Sequence, residues 1–111
     1  MIEWNRVDEL RDDVGEEEFP EVVQLFLDEV EAVLARLKAR PAPETLEDDL
    51  HFVKGSALTL GFRALGEICQ QGERDARAAR FGAIDIPRLL SIYAASKAEF
   101  AARLGLTVGT A

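Results

Sequence analysis

The chain has 111 residues, enough for one packed domain and one core but not two. Its 13 basic and 21 acidic side chains leave a net charge of -8, which argues against nucleic acid or an anionic membrane as the main partner. A lone cysteine, Cys69, excludes an internal disulfide and a multi-cysteine metal site, and no apolar run approaches the ~20 residues that cross a bilayer.

The opening stretch MIEWNRVDELRDD is acidic and lacks the basic-then-apolar layout of a signal peptide, so the expected location is the cytoplasm. Met1 and the short end of the chain suggest a complete small protein. Helical periodicity then runs through the whole sequence. A short first helix spans roughly Trp4 to Asp12 and stops before Gly15. A second runs from about Glu16 to Arg40. Its apolar residues Phe19, Val22, Val23, Phe26, Leu27, Val30, Val33, Leu34 and Leu37 recur at helical spacing. Acidic residues crowd its start and Arg36, Lys38 and Arg40 its end, as the helix dipole prefers, and Pro20 is tolerated near the start.

Pro41-Ala42-Pro43 is a hard stop. The third helix runs from about Glu44 to Gly61, with Leu46, Leu50, Val53, Ala57 and Leu60 as its apolar stripe. The fourth runs from about Arg63 to Arg80, with Leu65, Ile68, Cys69 and Ala76 as core candidates. Gly66 and Gly72 weaken it, and a bulkier apolar residue is expected in place of Gly72. A turn follows at Phe81-Gly82. The fifth helix, about Ile86 to Leu104, carries Leu89, Leu90, Tyr93, Phe100 and Leu104, and residues 105–111 read as a flexible tail. Long amphipathic helices with short connections predict an all-α domain over residues 1–111: an antiparallel four-helix bundle with a short additional N-terminal helix.

The chemistry concentrates in one stretch of the third helix, HFVKGSALTLGF, from His51 to Phe62. On a wheel of ~100° per residue, His51 falls opposite the apolar stripe, and Lys54, Gly55, Leu58 and Phe62 lie within about 60° of it. A solvent-facing histidine is ordinarily just a polar surface residue. Here Lys54 stands one turn on, where its charge reaches an anion attached to the imidazole. Gly55 costs about 1 kcal/mol relative to alanine in mid-helix, and thins the surface over the ring so that another protein can approach. Leu58 and Phe62 place apolar side chains on the same wet face, as a small docking patch. Gly61 reads equally well as a simple helix terminator.

His51-Phe52-Val53-Lys54-Gly55-Ser56-Ala57, followed by Leu60-Gly61, Leu65, Cys69 and Glu73, resembles the signature of histidine-containing phosphotransfer (HPt) domains, the phosphorelay modules of two-component signalling. The motif match covers about thirty residues, and the helical layout extends it over nearly the whole chain. The resemblance implies that His51 accepts a phosphoryl group reversibly from the phospho-aspartate of a response-regulator receiver domain. A neutral imidazole suits that step, since its unperturbed pKa is ~6.5. Lys54 would then stabilise the phosphoryl oxygens and Gly55 give the receiver clearance, with Leu58 and Phe62 docking it. Glu73 stands where family members place a glutamate or glutamine that orients the ring. A solvated charge paired with Arg77 or Arg74 is the competing reading, and Gln70 the fallback. Arg77, one turn beyond Glu73, adds positive charge near the phosphoryl group.

The chain has no phosphate-binding glycine loop and no acidic receiver-type pocket, so no intrinsic cofactor and no ATP-dependent autokinase activity are expected. Mg²⁺ would come with the receiver. The implied partners are receiver domains and a hybrid histidine kinase, acting on a monomer. The alternative is a helical module that binds a receiver or kinase without accepting phosphate. One histidine and one cysteine do not make a metal-ligand set.

Overall fold

The computed structural model describes residues 1–106, and residues 107–111, most of the expected tail, lie outside the described residues. Five α-helices follow one another: α1 (Trp4–Val14), α2 (Phe19–Ala39), α3 (Pro43–Leu60), α4 (Arg63–Arg77) and α5 (Ile86–Leu104), with a 3-10 turn at Phe81–Ala83 before the last. The fold is an all-α bundle. α2, α3 and α4 each pack on the helix that follows, α2 also touches α5, and α1 lies against α2 and α3. Among the described residues no helix is long and apolar enough to cross a membrane.

The boundaries differ from the sequence reading where local chemistry intervenes. α2 begins at Phe19, three residues later than expected, because Pro20 must fall in the first turn. A helix begun at Glu16 would need the amide hydrogen that Pro20 lacks. α4 ends at Arg77 rather than Arg80 because Ala79 turns to φ 58°. The amides of Ala79 and Arg80 then bond back to the carbonyls of Ala76 and Asp75, which closes the helix as a Schellman turn. Residues 105–106 do not begin a tail. Gly105 caps α5, the Leu106 amide bonds to the Ala101 carbonyl, and Leu106 packs against the core.

The widest helix contact is α3 on α4. A Cβ at Gly72 would lie 2.8 Å from Leu50 Cδ1, so this glycine is the notch that receives Leu50, the residue before His51. The expectation of a bulkier side chain at Gly72 is therefore corrected: bulk there would wedge the two helices apart.

The α3–α4 turn is equally constrained. Gly61 has φ 78° and bonds to both sides of the turn. Its amide reaches the Leu58 carbonyl, and its own carbonyl accepts from the Glu3 amide at 2.7 Å. A Cβ at Gly61 would sit 2.6 Å from the Glu3 carbonyl oxygen. Next to it, Phe62 is 0% exposed. Its ring meets Phe100 edge-on at 5.2 Å and Tyr93 at 6.4 Å, while Trp4 stacks on Phe100 at 6.2 Å. One aromatic cluster thus ties the turn to α1 and α5.

Gly61→Ala is expected to lower stability in urea denaturation by about 1–3 kcal/mol, because the left-handed conformation and the collision with Glu3 act together. A midpoint equal to that of the wild type would show that the turn relaxes without cost.

Candidate functional site

His51 emerges near the middle of α3 with its side chain 70% exposed. Facing it from α4 is Glu73, whose side chain is only 5% exposed. His51 Nδ1 and Glu73 Oε2 are 3.1 Å apart. An ionised carboxylate only accepts hydrogen bonds, so Nδ1 carries the proton and donates it. Nε2 is left with the lone pair on the exposed ring. Leu50 seated in the Gly72 notch holds the two helices at this spacing.

The second carboxylate oxygen, Oε1, faces the Lys54 ammonium at 2.7 Å, in contact by charge more than by an aligned hydrogen bond. Arg77 Nη2 lies 3.8 Å from Oε2, and Arg77 Nε donates to Glu47 Oε2 at 2.9 Å. Burial by itself would raise the Glu73 carboxyl. The Lys54 ammonium and the His51 ring outweigh it and hold the carboxyl below its ordinary range. Glu73 is therefore not a solvated surface charge, and its partners are His51 and Lys54 ahead of Arg77. Gln70 and Arg74 are exposed.

Around the ring the surface is thin and partly apolar. A Cβ at Gly55 would meet nothing within 4 Å. Leu58 is 51% exposed. Phe62, expected on the same face, is not there. It lies past the end of α3, where the backbone leaves the helical wheel at Gly61 and turns the ring into the core. The wheel fails for a residue that is no longer helical. The exposed apolar residue not expected from the sequence is Phe52, next to His51 in the chain and 41% exposed. Its signal was an aromatic next to the histidine and off the core stripe.

Cys69 is buried behind Glu73. Burial, reinforced by the Glu73 charge, pushes its thiol up to about 12, so it stays protonated and packs as a small apolar group.

A family model for the Hpt domain matches residues 21–99. The chain belongs to the Hpt domain family. The matched stretch runs from the first turn of α2 into α5 and contains every polar residue of this cluster. Membership gives the chain a phosphotransfer role in two-component signalling, in which Hpt domains interact with receiver domains and kinases. No curated protein and no solved structure matches the chain.

The ionised form of Glu73 is favoured by folding, so its stabilising effect is complete above the ordinary carboxylate range near ~4.3 and is lost as pH falls through that range to the lower folded-state value. Glu73→Gln lacks this titration. Urea unfolding followed from about pH 6 to about pH 3 should fall more steeply for the wild type than for Glu73→Gln. Parallel curves would mean that the carboxylate gains nothing from its partners.

Proposed function

We propose that His51 is the phosphoryl carrier of this Hpt domain, exchanging the group with the aspartate of a receiver domain. The observation behind this reading is the pairing of an exposed imidazole with a buried, ionised glutamate through Nδ1. Fixing the proton on Nδ1 presents the Nε2 lone pair outward, as a nucleophile needs.

In the transfer the Nε2 lone pair attacks phosphorus. The bond between phosphorus and the aspartyl oxygen breaks, and its electron pair returns to the receiver's carboxylate. The ring takes on positive charge while Nδ1 keeps its proton, and Glu73 faces that charge at hydrogen-bond distance. The reverse step returns the group to an aspartate. Lys54, one turn beyond His51, supplies positive charge to the phosphoryl oxygens and remains tethered to Glu73 in the resting protein. Mg²⁺ belongs to the receiver in this scheme.

Gly55, Leu58 and Phe52 form the docking surface. Gly55 gives the clearance, since space above it is open. Leu58 and Phe52, both exposed on α3 with His51, give apolar contact, and receiver domains with an apolar rim around an acidic pocket fit it.

His51→Gln is expected to abolish acid-labile phosphate after incubation with a phosphorylated receiver, with the melting temperature nearly unchanged, because the side chain is exposed. Transfer that survives in this variant would remove His51 from the mechanism. Gly55→Gln should leave the isolated domain as stable as the wild type, or up to ~1 kcal/mol more so, and still impair receiver-dependent transfer. A variant that accepts phosphate from its receiver at the full rate would show that the opening over Gly55 is not used for approach.

A further inference from the structure

Glu47 lies one turn before His51 on the same side of α3, and its Oε2 accepts from Arg77 Nε at 2.9 Å. Arg77 only grazes Glu73 at 3.8 Å, on the oxygen that receives the His51 Nδ1 hydrogen. One guanidinium is thus shared by two carboxylates and is hydrogen-bonded to the outer one. Both members of that outer pair are exposed, Arg77 at 63% and Glu47 at 43%, so the pair is solvated and exchangeable.

The charges of this cluster balance before any phosphorylation. Glu47 and Glu73 are negative, Lys54 and Arg77 are positive, and the imidazole in its nucleophilic form adds no charge. A phosphoryl group on Nε2 carries up to about two negative charges, and since the ring turns positive as it is loaded, the net gain at His51 is about one negative charge. The group lies within one helical turn of Glu47, where like charges repel. It also offers Arg77 a second acceptor, with more charge and three oxygens, while Glu47 occupies only one of the guanidinium donors.

We infer that Glu47 is a positioning residue that holds Arg77 back from the phosphoryl group and so sets how readily phosphorylated His51 gives that group up. Arg77 paired fully with the phosphoryl would stabilise phosphohistidine and make it a poor donor. Competition from Glu47 weakens that pairing and returns Arg77 to its resting partner when the phosphoryl leaves. The inference rests on His51 being the carrier, and it assigns to Glu47 a role in the balance of transfer that does not require contact with the reacting atoms.

The test is the equilibrium between phosphorylated protein and a phosphorylated receiver domain from the same genome, together with the phosphohistidine half-life, at low and high salt. Glu47→Gln keeps size and removes charge. It should shift the equilibrium toward phosphorylated His51 by about two- to fivefold, the range of an exposed ion pair, and lengthen the half-life in the same direction. Arg77→Ala should shift both the opposite way. In an Arg77→Ala background the effect of Glu47→Gln should fall to the small remainder due to repulsion, and 1 M salt should suppress it in either background. Melting temperatures, expected to be equal, separate this from a purely structural effect. An equal Glu47→Gln effect in both backgrounds would overturn the inference, since Arg77 would then not be the agent. So would an unchanged equilibrium and half-life in Glu47→Gln when the wild type is labelled normally, and the carrier role of His51 would stand. Absence of label on the wild type from every receiver would overturn both readings.

Discussion

Everything at this site depends on a carboxylate taken out of water. Glu73 is buried between α3 and α4, and a charge in that position is costly unless paired. His51 and Lys54, three residues apart on α3, meet its two oxygens. The carboxylate therefore fixes which ring nitrogen holds the proton, which way the ring faces and where the lysine rests. Remove the charge and all three become independent choices. The carboxylate is buried while the partners that reach it are more exposed, so the arrangement is specified from the inside of the bundle outward.

The bundle exists around that cluster as a brace. Leu50 in the Gly72 notch brings α3 and α4 together next to the site, and Gly61 turns the chain so that the helices lie against one another. Phe62 locks the turn into the aromatic cluster with Phe100, Tyr93 and Trp4. Leu50 and Gly72 are the chain neighbours of His51 and Glu73, so their contact sets the spacing of the pair, and a shift of even one ångström there would break a hydrogen bond of 3.1 Å.

Much of this was legible in the sequence because the relevant signals are periodic or compositional. Helical spacing identified all five helices, and α5 was read at its observed limits. The position of His51 opposite the apolar stripe followed from the wheel alone. Failures occurred where periodicity stops. Phe62 was misplaced because Gly61 ends the helix before it, so an angle measured along α3 no longer applies. The Gly72 notch was misread as a defect, since a missing side chain has meaning only beside the Leu50 that fills it. Glu47 gave no signal, because its partner Arg77 is thirty residues away on another helix.

On the other side of the bundle, α2 and α5 meet in a different manner. Glu31 takes the Tyr93 hydroxyl at 2.5 Å and the Lys97 ammonium at 2.6 Å, and a groove of about 630 Å³ runs beside them, floored by Leu34 and Leu90. The two seams of the bundle are therefore unlike: α3 and α4 share the widest helix contact, closed by Leu50 in the Gly72 notch. The α2–α5 contact is narrower than that of α3 on α4, and it is crossed by one carboxylate that serves a hydroxyl and an ammonium at once.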